Sequence, residues 1–513
     1  MELELCKETY SCYDALPPFI ETREQSTETI VPDYCPDIAR IVEGSGCLFL
    51  RSREIVDGRV SVSGTLRVTL LYIADGNGGL KSFEYSLPVE ETLEGRLREG
   101  CREVCIDGTV TSLEVRALNP RKLTTRAALE LTATPYCAAQ ITVCGEVAGQ
   151  KEYGVETLVE TQNISFLRAL QHKDFMFSDE LLLSGSRESA AELLRESVKL
   201  RTTECRLLGG KVILKGLACV DVLYLSENGT ICRTGAELPF SQIVEGIEGA
   251  DENTSAEALL RLTGAEFRIG GEDGDDPRTI SVKLFLHACV LLRQQAAVRC
   301  IADLYSTTHE LSVQMQTLEL CSGAETVSQE QNVREQIETG VEPASVLCAE
   351  VSFGSVTMAQ EEEETALPHS TAVIRVLYLD EGGAPLMAER RTEVTARVAV
   401  PKGCTASVRS VTAGEVSAAA AADGIEVRFP VTFVLSCTSV CRSMCPVTLK
   451  AEPMQEHGGE TPSLVLRAMR PGQKLWDLAK MYCTTVADIL AANELSSESD
   501  TAVGGMLLIP RRR

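Results

Sequence analysis

Side chains able to do chemistry are sparse in this chain and widely scattered. Five histidines, His172, His287, His309, His369 and His457, lie far apart without ligand or triad spacing, so a histidine-built zinc site or catalytic triad is not expected. No GxxxxGK(S/T) or GxGxxG run is present to cradle a nucleotide phosphate. The twenty cysteines are a larger reserve of reactive groups. Cys437-x3-Cys441-x3-Cys445 comes nearest to a metal pattern, and Cys101-x3-Cys105 is similar. Structural zinc uses two close pairs, however, and neither run has a second pair. Cytosolic thiols stay reduced, so most are expected to be small buried hydrophobes. The alternative is that exposed ones cross-link if the protein meets an oxidising environment. The acidic runs Glu361–Glu364 and Glu272-Asp273-Gly274-Asp275-Asp276 lack the ligand spacing of an EF-hand and read as solvated loops. Trp476, the one tryptophan, is expected to pack inward rather than stack on a sugar. The residues therefore point to a protein that is not an enzyme, with no catalytic residues, no metal ligands and no cofactor.

What must be positioned is then a set of surfaces. At 513 residues the chain exceeds one hydrophobic core and suggests about three or four domains. Hydrophobic residues at 44% and charged residues at 24% are ordinary for a globular protein, while aromatics at 5% leave the cores to Val, Leu, Ile and Ala. A net charge of −25 excludes nucleic acid as an expected partner, because phosphate binding needs a basic footprint. Residues 462–513 hold seven Lys/Arg against five Asp/Glu, so they carry +2 and the rest carries −27. The closing Arg511-Arg512-Arg513 reads as a solvated end. Met1–Glu8 shows neither a basic nor an apolar leader, and no stretch approaches the roughly 18–20 apolar residues of a membrane span. The expectation is a protein made and kept in a cytosol, with no integral membrane segment.

Internal repetition organises most of the chain. Segments 59–94, 211–245 and 366–401 share a Leu-Tyr-(Ile/Leu) strand end followed by an acidic, Gly-rich turn. Their tyrosines, Tyr72, Tyr224 and Tyr378, are separated by 152 and 154 residues. Val60, Val62, Leu66, Val68, Leu70 and Tyr72 alternate with Ser61, Ser63, Thr65, Arg67 and Thr69, the period of a half-buried strand. Gly64 and Gly216 precede their tyrosines by eight residues, where Ser370 stands in the third copy, which suggests a bulge or a close backbone approach. Asp75-Gly76-Asn77-Gly78, Asn228-Gly229 and Gly382-Gly383 supply hairpin turns. A second hairpin is expected in each copy: 110–115 with 124–134, 259–269 with 278–288, and 411–416 with 425–435 across an alanine run and Asp423-Gly424. Each second strand runs to a cysteine, Cys137, Cys289 or Cys437. Before each first hairpin lies a helix-capable stretch such as Ser186–Lys199. The expected fold is mainly β: three tandem antiparallel repeats of about 150 residues, each a sandwich or half-open barrel, at 1–148, 149–303 and 304–450. Residues 451–462 read as a flexible linker. Residues 463–513 read as a separable βααβ module, with a strand at 464–469, helices at 474–482 and up to Ala492, and a strand at 506–509.

The C-terminal module resembles the LysM family through Pro471-Gly472, Leu475-Trp476-Asp477-Leu478-Ala479, Val486, Ile489-Leu490, Asn493, Leu495 and Ile509-Pro510. The upstream repeats resemble the SPOCS-type domain of spore-forming bacteria, through the Leu-Tyr-(Ile/Leu) hairpins and Val31-Pro32-Asp33-Tyr34-Cys35-Pro36-Asp37-Ile38. SPOCS-type repeats with a terminal LysM module is the layout of clostridial spore coat morphogenetic proteins of the SipL type. That resemblance implies a sporulation scaffold in the mother-cell cytoplasm at the forespore surface, where the LysM module docks a coat morphogenetic ATPase and the repeats recruit or space other coat proteins. The implied partner-binding residues are Pro471, Gly472, Gln473, Lys474, Trp476, Asp477 and Asn493. The LysM turn usually continues Gly-Asp-Thr, whereas this chain has Gly472-Gln473-Lys474. That change removes a carboxylate and a hydroxyl from the glycan groove, so a protein surface is the expected ligand. A peptidoglycan- or chitin-binding wall protein is the alternative.

Overall fold

The computed structural model describes residues 1–511 other than 77–78, 96, 186, 246–250, 272–275, 363, 422–423, 455–461 and 499–504. The acidic runs at 272–276 and 361–364, the turn at 75–78, Asp423, most of the linker and the last two arginines fall wholly or partly outside the described residues.

The chain builds one arrangement three times. In the first copy β1 (Leu5–Ala15) and β2 (Phe19–Ile30) form one line interrupted at Pro17-Pro18. Then follow β3 (Ile38–Val56), β4 (Arg59–Ala74), β5 (Leu80–Leu93), β6 (Cys101–Asn119) and β7 (Lys122–Val147). The second copy has β8 (Val155–Leu182), β9 (Ala190–Leu208), β10 (Lys211–Ser226), β11 (Ile231–Val244), β12 (Thr254–Ile269) and β13 (Thr279–Ser306). The third has β14 (His309–Ile337), β15 (Pro343–Phe353), β16 (Thr357–Glu362), β17 (Thr365–Asp380), β18 (Pro385–Thr395), β19 (Val398–Ala399), β20 (Cys404–Ala413), β21 (Ser417–Ala421) and β22 (Gly424–Pro453). In each copy the long first and last strands pair antiparallel, with β6, β12 or β20–β21 on the other edge of the last strand. Over this sheet lies an antiparallel meander, β3-β4-β5, β9-β10-β11 or β15-β17-β18. The core between the layers takes Leu66 and Val68 from β4 against Ala127 and Leu129 from β7, and Val376 and Tyr378 from β17 against Val427 and Phe429 from β22.

The tyrosines hold the same place in every copy. Tyr72, Tyr224 and Tyr378 end the central meander strand and oppose Ile41, Leu193 and Val346. The Tyr72 and Tyr224 hydroxyls each donate to a carbonyl 36 residues upstream, of Pro36 and Glu188. Arg121 and Arg278, each just after the turn into the last strand, donate to carbonyls of the segment that enters the meander: Val31, Pro32 and Cys35 in one copy, Ser184 and Arg187 in the other. A Cβ on Gly64 would press into the Phe49 carbonyl, and one on Gly216 would lie 2.8 Å from the Arg201 carbonyl. The close approach expected of the small residue is therefore real.

Three sequence expectations are corrected. Residues 190–199 are strand, not helix: their helix-forming Ala, Glu, Leu and Arg are overridden because β9 completes the meander along β10. The alanine run is strand β21, paired with β22 from Ser417↔Arg428 to Ala421↔Gly424, rather than a turn. The linker starts later than expected, since Ala451, Glu452 and Pro453 finish β22 and pair with Leu311, Glu310 and His309.

The copies meet at a shared centre. Each first meander strand has a bulge at the same register, placing Val42, Leu194 and Leu347 in one cluster with Leu71, Leu223 and Leu377. Three equivalent pairs around one point make the arrangement pseudo-threefold. The residues next to the bulge are Glu43, Arg195 and Cys348, opposite those three leucines. Arg195 donates to both Glu43 oxygens at 2.9 and 2.8 Å and to the Cys348 sulfur at 2.9 Å, with Glu350 at 3.2 Å. The same register position thus carries an acid, a base and a thiol, so the repeats are not interchangeable there. The first and third repeats are joined where the Met1 amino group and Leu3 N–H donate to the Ala451 and Leu449 carbonyls of β22.

Candidate functional site

The C-terminal module folds as β23 (Leu464–Ala468), α1 (Leu475–Met481), α2 (Val486–Ala492) and β24 (Met506–Pro510), the expected βααβ order. Gly472 takes a positive φ of 76° in the turn before α1. Lys474 is the N-cap of α1, and Asp477 reaches back to accept from its N–H at 3.3 Å. Thr485 caps α2 by accepting from the Asp488 N–H at 3.0 Å.

The seven candidate residues divide into two groups. Pro471, Gly472, Lys474 and Asp477 are exposed and Gln473 half-buried, so together they form an accessible turn and helix start. Asn493 is committed to the fold: its amide donates to the Ile489 and Leu508 carbonyls and accepts from the Leu508 N–H, tying the end of α2 to β24. Trp476 is buried, as expected, but its partners lie in the second repeat. Its indole N–H donates to Asp303 at 2.8 Å, and its ring meets Tyr305 edge-on with centroids 4.9 Å apart. Lys480 pairs with the other Asp303 oxygen at 2.6 Å, and the Tyr305 hydroxyl donates to the Thr484 carbonyl at 2.8 Å. These contacts hold the Asp303 carboxyl below its ordinary value, although burial works against them. Tyr305 and Leu158 of the repeats belong to the same apolar cluster as Leu475, Trp476, Leu478 and Ile489. The module is therefore docked on the repeats and shares its core with them, which argues against the expected separable fold.

Sequence reasoning missed a further surface. Register pairs Leu464↔Pro510, Leu466↔Leu508 and Ala468↔Met506 on the outward face of the two-stranded sheet. Leu464, Leu466 and Met506 are 52%, 59% and 56% exposed, so apolar side chains of both strands share one outward face. Arg467, on the alternate face of β23, and Arg511 both lie over the Tyr482 ring. The signal in the sequence was an apolar run, Leu464-Val465-Leu466, in a sheet with only one side to cover.

The structure also assembles titratable groups that the sequence scatters. His172 Nδ1 and His287 Nε2 are 3.3 Å apart, His287 Nδ1 is 2.6 Å from Asp174, and His172 Nε2 is 3.3 Å from Glu103. Pairing of β8 with β13 creates this group against β6 of the first repeat. Burial, Arg53 and the neighbouring His287 push His172 down to about 4, and burial lowers His287 as well. Cys437, Cys441 and Cys445 follow one strand into three separate apolar clusters. Cys101 and Cys137, directly opposed on β6 and β7, are joined as a disulfide rather than both being reduced thiols. Among the described residues no helix is long and apolar enough to cross a membrane.

The family model described as SipL, SPOCS domain matches residues 37–118 and 189–269. These segments hold equivalent elements, β3 to β6 and β9 to β12, which are the meander and the strand after it. No curated protein and no solved structure matches the chain.

Proposed function

We propose that this chain is a non-enzymatic assembly adaptor of the spore envelope, of the SipL type, acting in the mother cell at the forespore surface. The observation that carries this reading is the pair of SPOCS-domain matches, on equivalent elements of two repeats. The third copy shares the same meander register around Tyr378, and in this reading all three repeats recruit or space coat proteins. We read the C-terminal module as LysM-type, from its βααβ order and the Pro471-Gly472, Trp476 and Asn493 matches.

In this reading the module docks a coat morphogenetic ATPase through the outward face of β23 and β24. Leu464, Leu466 and Met506 supply apolar area, and the module's +2 against −27 for the rest lets it meet an acidic protein without repulsion. Trp476 and Asn493 are engaged in internal contacts, and Gln473-Lys474 lacks the carboxylate and hydroxyl of the usual Asp-Thr, so a glycan is disfavoured. The test is binding of purified ATPase to the full chain and to a Leu464→Glu/Leu466→Glu variant. A loss of affinity of tenfold or more, with Trp476 emission unchanged, supports the docking face. Equal binding by both proteins overturns it.

A further inference from the structure

Where the first and second repeats pack together, Cys105 of β6 and Cys289 of β13 bring their sulfurs to 2.8 Å, across 184 residues of sequence. The two are not partners in any strand pairing: Cys105 opposes Thr134, and Cys289 opposes Leu259 and His172. Their contact therefore comes from the packing of two sheets. A disulfide spans about 2.05 Å, so closure asks the repeats to approach by less than about 1 Å.

The two thiols are not equivalent. Cys105 is partly exposed, whereas Cys289 is 3% exposed. The hydrogen bond from Cys289, with the Arg53 and Arg261 guanidiniums nearby, holds the Cys105 thiol below its ordinary value. That same hydrogen bond, together with burial, pushes Cys289 up. Arg261 donates to the Ile106 carbonyl next to Cys105, and its buried Nε–H has no hydrogen-bond partner among the described residues. Burial instead pushes Cys47, Cys144, Cys205 and Cys348 up to about 11. Thiolate character and access together select the attacking sulfur.

We propose that Cys105 and Cys289 are a redox pair that closes into a disulfide between the first and second repeats, taking a small-molecule disulfide such as oxidised glutathione as oxidant. The Cys105 thiolate attacks one glutathione sulfur, forming a mixed disulfide and breaking the glutathione S–S bond to release one thiolate. That thiolate takes the proton of Cys289, and the resulting Cys289 thiolate attacks the Cys105 sulfur and releases the second glutathione as a thiolate, which is protonated from solvent. Two protein thiols are oxidised, one glutathione disulfide is reduced, and the repeat interface becomes covalent.

The test uses the full chain, treated with oxidised glutathione, quenched with N-ethylmaleimide and digested with trypsin without reduction. The two cysteines fall in peptides 103–116 and 284–293, each holding a single cysteine. The expected product is these peptides linked, at more than half occupancy and lost on reduction. In the untreated reduced chain, Cys105 should alkylate at least fivefold faster at pH 7 than Cys47 or Cys205. Recovery of both peptides alkylated, or of Cys105 only as a stable glutathione adduct, overturns the proposal. The wild-type experiment decides without any variant; C105S and C289S should each abolish the link, and a link that persists in either also overturns the assignment.

Discussion

Replacing Arg195 with methionine keeps most of the side-chain bulk and removes the guanidinium from the centre of the three repeats. Arg195 and Glu43 are 4% and 5% exposed, and one guanidinium nitrogen donates to both carboxylate oxygens. Removing one partner of such a pair costs about 3–5 kcal/mol, because the remaining charge is left buried and alone. Glu43 can recover part of this by binding a proton, since burial already pushes its carboxyl above the ordinary value. A carboxyl raised in the folded state holds a proton that the unfolded chain releases, so stability falls as pH rises above the unfolded value. The limit is about 1.4 kcal/mol per pH unit. The penalty of Arg195→Met should therefore be larger at pH 8 than at pH 5. A Glu43→Met/Arg195→Met double variant removes both charges and should regain most of the loss. Urea unfolding followed by circular dichroism at both pH values, for wild type, singles and double, reads these differences. A single-variant cost below about 1 kcal/mol at pH 8 would refute the buried-pair reasoning, as would a double variant no more stable than Arg195→Met.

Four other outcomes follow from the same structure. His172 is depressed to about 4, so its neutral form stabilises the fold above the unfolded pKa of 6.5, and that contribution is lost as pH falls from there through about 4. His172→Gln, in surroundings still containing Arg53, Glu103, Asp174, Arg261 and His287, should show a smaller drop in melting temperature between pH 7 and pH 4.5. Burial and the nearby Glu84 push Glu196 up to about 7, so its stabilisation is complete below about 4.5 and lost as pH rises through 7. Glu196→Gln should melt higher than wild type at pH 8 and equal to it at pH 5. Asn493→Ala removes two hydrogen bonds between the end of α2 and β24 and one to the Ile489 carbonyl within α2, at a cost of about 1–3 kcal/mol to the module, visible as earlier exchange of the Leu508 amide. Asp303→Ala frees both Trp476 and Lys480, and the emission of the sole tryptophan should shift to the red at lower urea than in wild type.

The parts of the fold legible in the sequence were those written in short-range pattern. Alternation along Val60–Tyr72 and the spacing of Tyr72, Tyr224 and Tyr378 located the meanders, because a strand with one buried face must alternate. The βααβ order of the tail was visible for the same reason. Residues 190–199 misled because local helix propensity was outweighed by the open edge of β10, a partner that no local pattern records. Alanine at 418–421 carries little β signal, yet pairing along β22 makes it strand. Side chains joined across long stretches of sequence were out of reach: Cys105 with Cys289 and Glu43 with Arg195 meet by packing of repeats, His172 with His287 by pairing of the first and last strands of one repeat, and each pair lies more than a hundred residues apart. Trp476 was correctly assigned inward, but Asp303 and Tyr305 could not be named, because they belong to another repeat.

The most direct test of the docking account is a pair of calorimetric titrations of the full chain, one with purified coat morphogenetic ATPase and one with N-acetylglucosamine oligomers. The full chain is required because Tyr305 completes the core of the C-terminal module. Saturable binding of the ATPase, abolished by Leu464→Glu/Leu466→Glu, and no saturable heat from the sugars are expected. Saturable micromolar sugar binding together with a silent ATPase titration would contradict ATPase docking and establish a wall-glycan ligand in its place.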